Sequence, residues 1–279
     1  MQTRAFGDAG RAVAAIGQGT WELDKAREAD ALSTLRRGLD LGLTHIDTAE
    51  LYGNGAAERL TGKAIRDRRD EVFLVSKVLP SNASRQGVVK ACERSLAALA
   101  TGHLDCYLLH WRGSYPLAET VAAFDSLLQA GKIRSWGVSN FDVDDLEEVM
   151  KLGRPACNQV LYHLGERAIE HAVLPFCREQ GIAVVAYTPF GQSPEIYSPL
   201  TAQGRVLNEV ARRHGATTRQ VALRFLLRHP GLFVIPKASQ LPHVEDNAGA
   251  LRFEITEVDL ADIEQAFPRG KKPRSLPMI

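Results

Sequence analysis

The sequence predicts a closed (β/α)8 TIM barrel with an N-terminal β-hairpin and extra helices outside it, and three observations carry that prediction. Short apolar runs alternate strictly with longer amphipathic stretches, the pattern that builds a parallel sheet. Eight such units occur within 279 residues, a length close to the ~250 residues of a single barrel. Several runs, among them Val72-Phe73-Leu74-Val75 and Ala183-Val184-Val185-Ala186, are apolar without a break, as strands covered on both faces are.

The elements follow in order. Thr3-Arg4-Ala5-Phe6, Gly7-Asp8-Ala9-Gly10 and Arg11-Ala12-Val13 read as a hairpin with a glycine-rich turn. Strands are then expected at 15–17, 44–47, 72–78, 104–110, 133–139, 157–161, 183–188 and 232–236. Helices are expected between them at 28–41, 56–69, 85–99, 117–130, 144–151 and 169–180. Leu32, Leu35, Leu39 and Leu43 show the spacing of one helical face. Gly42, Gly131, Gly153 and Gly181 each follow an amphipathic run, where a helix-ending glycine belongs. Segments 205–214, 218–228 and 256–266 supply more helix than eight units need, so they are expected outside the barrel. No linker or low-complexity stretch interrupts the pattern, and residues 1–279 read as a single barrel domain.

Composition narrows the function. Lys plus Arg total 34 against 33 Asp plus Glu, a net charge of +1, which argues against the broad basic field of a nucleic-acid partner. No 18-residue apolar span and no signal-peptide core occur, so a cytoplasmic protein with no membrane partner is expected. Cys92, Cys106, Cys157 and Cys177 are widely spaced and read as buried thiols, not a disulfide framework.

In a (β/α)8 barrel the active site lies at the C-terminal ends of the strands. Read in order, those ends carry Gly19-Thr20-Trp21, Asp47 to Tyr52, Ser76-Lys77, His110-Trp111, Ser139-Asn140, Asn158-Gln159, Tyr187-Thr188-Pro189 and Pro236-Lys237. An Asp, a Lys and a His ending apolar runs are costly to bury unless they serve one another. Barrel closure is what would bring them together.

Asp47-x-x-x-x-Tyr52, Lys77 and His110 resemble the catalytic tetrad of the aldo-keto reductases. The resemblance covers essentially the whole chain. Its nearest likeness, through Cys157-Asn158-Gln159-Val160-Leu161-Tyr162-His163 and Leu109-His110-Trp111, is to short bacterial methylglyoxal-reductase-type members. It implies NADPH-dependent reduction of aldehydes and ketones, with methylglyoxal among the substrate candidates. It also implies a nicotinamide site at Ser139, Asn140, Gln159, Tyr187, Pro189 and Phe190, with Gly19, Thr20, Trp21 and Asp47 beside it. The phosphate and adenine segment would be Lys237, Ser239, His243, Asp246 and Asn247. Substrate would meet Trp21, Tyr52, His110 and Trp111, with Phe141 at the pocket mouth.

Physical chemistry supports the tetrad roles separately. A carbonyl accepts hydride readily only if its oxygen is protonated or hydrogen-bonded as charge develops. Tyr52 can donate that proton, an adjacent Lys77 ammonium lowers its pKa, and Asp47 offsets the cost of burying the lysine. His110 can orient the carbonyl. No G-x-G-x-x-G follows a strand, so cofactor binding is expected after the seventh and eighth strands and at a helix starting near Leu241. The family grips the 2′-phosphate of NADPH with a lysine, a hydroxyl residue and an arginine. This chain keeps Lys237 but has Ala238 and His243 at the other two positions, so NADPH is expected with NADH as the alternative.

The loops after the fourth and seventh strands and the tail are short, which implies an open pocket. The tail cations Arg269, Lys271, Lys272 and Arg274 read as a solvated terminus. A monomer or weak homo-oligomer is expected. Two rival readings remain: a non-enzymatic NADP-binding regulatory subunit on the same fold, and a metal-dependent hydrolase using His45, Asp47 and His110. The second leaves Tyr52 and Lys77 without a role; His45 reads as a core histidine, and no metal is expected.

Overall fold

The structure, a computed structural model, describes residues 2–279. β1 (Thr3–Ala5) and β2 (Ala12–Ala14) form the antiparallel hairpin. Eight strands then form one parallel sheet in chain order. They are β3 (Gln18–Gly19), β4 (His45–Asp47), β5 (Phe73–Val78), β6 (Cys106–Leu109), β7 (Trp136–Ser139), β8 (Cys157–Leu161), β9 (Ala183–Tyr187) and β10 (Leu232–Val234). The sheet curls until its two ends meet. Ile16 bridges Val234 and Gly19 bridges Lys237, and the Val234 amide donates to Ala15 O at 3.0 Å. A Cβ on Gly19 would lie 2.6 Å from Ile235 O, so glycine is what lets this seam close.

Helices α1 (Glu28–Asp40), α2 (Ala56–Ile65), α3 (Arg85–Leu99), α4 (Leu117–Gln129), α5 (Val143–Met150) and α6 (Val173–Gln180) each return the chain to the start of the next strand. α7 (Ala202–His214) and α8 (Thr218–Leu226) lie between β9 and β10, and α9 (Leu241–Gly249) and α10 (Glu257–Ala266) follow. α7 packs against α10 outside the ring. The segment expected as a strand at 15–17 pairs with the last strand rather than the second. Gln18–Gly19 makes the ladder to Ile46–Asp47. The expected helix at 56–69 stops at Ile65, and residues 69–71 wind as a 3-10 turn. Residues 168–171 form a second such turn ahead of α6.

Side chains alternate across each strand, and here the inward set changes character along the barrel axis. At the N-terminal end it is apolar: Phe73, Val75, Cys106, Leu108, Cys157, Val185 and Phe233 form one cluster with Phe6 and Val13 of the hairpin. The hairpin covers that mouth, and Arg4 donates to the carbonyls of Leu227, His229 and Leu232 at 2.7–2.9 Å. His45 lies in this layer, fully buried against the rings of Phe6, Phe73 and Phe233. Neither ring nitrogen has a partner, and burial pushes its pKa down to about 3, so it is a neutral core residue. The four cysteines are buried too. Two residues further along each strand the inward positions become polar: Asp47, Lys77, His110, Ser139, Gln159 and Tyr187. The same alternation that builds the core therefore delivers six hydrogen-bonding groups to the opposite end.

Candidate active site

β4 and β5 pair with Asp47 opposite Val75, and Lys77 lies two residues beyond on the same face. Its ammonium donates to Asp47 Oδ1 at 2.5 Å, to Thr48 O at 2.9 Å and to Tyr52 Oη at 3.1 Å. The other Asp47 oxygen accepts from Gln159 Nε2 at 2.7 Å. Asp47 and Lys77 are 1% and 0% exposed, so each depends on the other for solvation. Burial alone pulls the Lys77 ammonium down, but the opposite charge of Asp47 and the contact with Tyr52 outweigh it and raise its pKa. Burial pushes the Asp47 carboxyl up, and Lys77 and Gln159 draw it back.

Tyr52 is delivered by the loop after β4. The Thr48 amide donates to Val75 O and the Glu50 amide to Lys77 O, extending the pairing past the strand. Gly53, Asn54 and Gly55 then take three successive left-handed conformations, at φ 55, 51 and 80, and turn the chain into α2. A Cβ at Gly53 would lie 2.4 Å from Asp24 Oδ2. Glycine is needed there twice over. Burial raises the Tyr52 phenol above its ordinary pKa; Lys77 opposes that rise and the Asp47 charge adds to it. Lys77 thus acts in the expected direction on the phenol, and burial outweighs it.

The His110 ring stands edge-on to Tyr52 with centroids 5.8 Å apart. Burial, with Lys77 adding to it, drives its pKa down to about 2, so the imidazole is neutral. Nδ1 is buried without a partner. Nε2 is not among the buried unpartnered atoms, so it is the ring nitrogen open to the cavity that His110 lines.

The cofactor-side groups form a connected set. Ser139 Oγ donates to Gln159 O at 2.8 Å, and Asn140 Nδ2 donates to His110 O at 3.1 Å and Ser139 Oγ at 3.2 Å. Tyr187 Oη donates to Asn140 Oδ1 at 2.8 Å. Asn140 and Thr188 both have positive φ, 61 and 51. For β-branched Thr188 that is strain, stored where strands β7 and β9 hand over to their loops.

These ends surround a cavity of about 450 Å³. It brings together Gly19, Thr20, Trp21, Asp47, Tyr52, His110 and Trp111 with Ser139, Asn140, Gln159, Tyr187, Pro189, Phe190 and Lys237. Lys77 stands behind Asp47 and Tyr52. Ser239 precedes α9, and His243, Asp246 and Asn247 lie on it, outside the cavity lining. Asp246 Oδ1 already accepts from Thr217 Oγ1 at 2.9 Å. Phe141, expected at the mouth, is fully buried. The left-handed turn at Asn140 directs it inward, and Asn158 Nδ2 holds its carbonyl at 2.8 Å.

Seven lining residues are not among the site residues expected from sequence: Leu51, Thr188, Gly191, Gln192, Ile235, Met278 and Ile279. Leu51 was visible within the Asp47-to-Tyr52 segment. The tail carried no signal, yet Met278 and Ile279 return to the cavity lining, while Lys271, Lys272 and Arg274 are exposed as expected. Among the described residues no cluster of His, Cys, Asp and Glu could hold a metal ion, and no helix is long and apolar enough to cross a membrane.

The model of the Aldo/keto reductase family matches residues 15–267. The chain is 45% identical over 270 residues to "Methylglyoxal reductase YeaE" of Escherichia coli (strain K12), covering 95% of each chain. It is 32% identical over 251 residues to "Glyoxal reductase" of Bacillus subtilis (strain 168), covering 89% of this chain and 87% of that one. Among solved structures it resembles an aldo-keto reductase from Klebsiella pneumoniae in complex with NADPH. The TM-score is 0.93 at 43% identity, over 100% of this chain and 99% of that one.

Proposed function

The chain belongs to the aldo/keto reductase family, and from that premise we propose that it reduces small aldehydes and ketones, methylglyoxal among them, to alcohols, with NADPH as reductant and Tyr52 as proton donor. The observation that carries this reading is the buried chain Gln159–Asp47–Lys77–Tyr52, linked by contacts of 2.7, 2.5 and 3.1 Å. A structural ion pair has no need of a phenol on its open side.

The residues fit a dinucleotide. Gln159 donates its amide to Asp47, so its Oε1 is left to accept from a carboxamide. Tyr187 offers an aromatic face beside it. Lys237 is exposed, lines the cavity and makes no ion pair among the described residues. α9 begins four residues later with Pro242 in its first turn, and the positive end of that helix suits a phosphate. When bound, NADPH supplies the hydride.

This chain's own residues handle the proton. Burial keeps Tyr52 protonated at neutral pH, so the donor is loaded before reaction. As the proton passes from Oη to the carbonyl oxygen, the phenolate forms 3.1 Å from the Lys77 ammonium. Stabilisation then arrives with the charge it serves. His110 donates from Nε2 to the same carbonyl oxygen and orients it toward Tyr52. Asp47 keeps Lys77 charged and aimed.

The test is NADPH oxidation by methylglyoxal and a panel of aldehydes, in the wild type and in Tyr52→Phe. Loss of the hydroxyl is expected to lower kcat by about 10² or more, with NADPH affinity unchanged. Undiminished turnover by the variant refutes the role of Tyr52. Cofactor binding without any turnover in the wild type supports a passive NADP-binding subunit instead.

A further inference from the structure

Arg219 stands on the first turn of α8, and nothing above gives it a task. Its guanidinium carbon lies 4.9 Å from the ring centroid of Phe190 and 5.9 Å from that of Tyr197. Phe190 lines the cavity close after Tyr187, and Tyr197 ends the 3-10 turn at 194–197 in the same loop. The loop that supplies cavity lining therefore packs two rings against one cation. Yet Arg219 is exposed and makes no hydrogen bond or ion pair among the described residues. Glu195, on the same turn as Tyr197, does not pair with it, and Asp246 is engaged elsewhere. Asp246 accepts from Thr217 Oγ1 through its side chain and from Gln220 Nε2 through its carbonyl, both at 2.9 Å. Those two bonds flank Arg219 and pin the start of α8 to α9.

A guanidinium stacked on rings is fixed in plane and keeps its N–H donors at the free edge. Such an edge matches the oxygens of a phosphate. The cofactor reading above sets nicotinamide against Gln159 and Tyr187, and the 2′-phosphate against Lys237 and α9. Arg219 touches the loop from the first end and is tied to the helix of the second. The part of a dinucleotide that joins those ends is its diphosphate. We propose that Arg219 binds the diphosphate of the nicotinamide dinucleotide, with Phe190 and Tyr197 holding its guanidinium in plane. The inference rests on that cofactor reading. Because NADPH and NADH share the diphosphate, this contact strengthens both alike, and discrimination is left to Lys237 and α9.

Titration calorimetry of the whole protein with NADPH, NADH and adenosine 2′-monophosphate, which has the 2′-phosphate but no diphosphate, tests the contact. Arg219→Gln keeps part of the stem and removes the charge. It should weaken NADPH and NADH alike, about tenfold each, and leave adenosine 2′-monophosphate unchanged. The decline of NADPH affinity from about 0.05 to 0.5 M salt should also be shallower in the variant, one phosphate-facing charge being gone. Unchanged affinity for both dinucleotides overturns the proposal. A loss confined to NADPH and adenosine 2′-monophosphate overturns it too, since Arg219 would then read the 2′-phosphate. An equal loss with unaltered salt dependence assigns Arg219 to packing of the Phe190 loop and refutes the contact. Wild-type protein that binds neither dinucleotide removes the cofactor reading, and the contact with it.

Discussion

Replacing Lys77 with methionine separates the stabilising role of the buried ion pair from its chemical role. Methionine fills much of the same volume but leaves Asp47, 1% exposed, with Gln159 as its remaining hydrogen-bond partner. Breaking a buried pair from one side costs about 3–5 kcal/mol, which for a chain of 279 residues lowers Tm by about 5–9 °C. Asp47 can relieve the cost by taking up a proton. Its pKa in the variant then lies further above the unfolded value, so the folded variant binds the extra proton and its stability falls as pH rises. The deficit relative to wild type should therefore be largest near pH 8 and shrink toward about pH 5. For catalysis, an ammonium 3.1 Å from the Tyr52 oxygen attracts a phenolate by about 5 kcal/mol at an effective dielectric near 20. With about half that charge developed in the transition state, kcat falls about 10²-fold. Calorimetry across that pH range and NADPH absorbance with a saturating aldehyde read the two effects separately. A variant turning over within about threefold of wild type, or a Tm deficit that grows toward acid, refutes the reasoning.

Three further perturbations test other parts of the molecule. Gly62→Ala puts a Cβ 2.5 Å from Leu99 O where α2 meets α3, and calorimetry should show a loss of about 1–3 kcal/mol. Glu170 is desolvated, which alone would push its carboxyl up, but hydrogen bonds from Arg167 and Tyr162 and the charge of Arg228 hold it well below the ordinary range. Its stabilisation is complete above the unfolded value of about 4.5 and is lost as pH falls toward the folded one. Glu170→Gln should therefore lower Tm at neutral pH and flatten the acid side of the Tm–pH curve. His243→Arg adds a permanent guanidinium on the first turn of α9. It should tighten NADPH about three- to tenfold in fluorescence titration and leave NADH unchanged; equal tightening of both refutes a 2′-phosphate contact there.

The strand ends were legible because period-two alternation and the barrel rule together select a few positions on each strand. Once Phe73 and Val75 are inward, Lys77 must be, and the same step takes Cys106 and Leu108 to His110. Boundaries were less legible. Leu104 and Ile133 have the composition of strand yet make a single isolated bridge outside the named strands. Phe141 was misread because an aromatic after a polar strand end looks like a pocket residue, and the left-handed turn at Asn140 that buries it leaves no sequence signature in a non-glycine residue. Glu58 gave no signal either. It is 2% exposed on α2 and accepts from Ser76 Oγ at 2.6 Å, a partner 18 residues away. The tail's return to the cavity depends on packing of Leu276 at long range, which no local pattern encodes.

The seam between β3 and β10 bears on how the protein is made. Ile16 and Gly19 wait for Val234 and Lys237, so the ring cannot shut until more than four-fifths of the chain has left the ribosome. Until then the nascent sheet carries two unpaired edges, which favour intermolecular pairing in a growing chain. The same seam joins Gly19 to Lys237, so the dinucleotide groove is among the last parts of the molecule to form. Cofactor can reward only a finished barrel. Its abundance in the cell should then act on the yield of folded enzyme as well as on its rate.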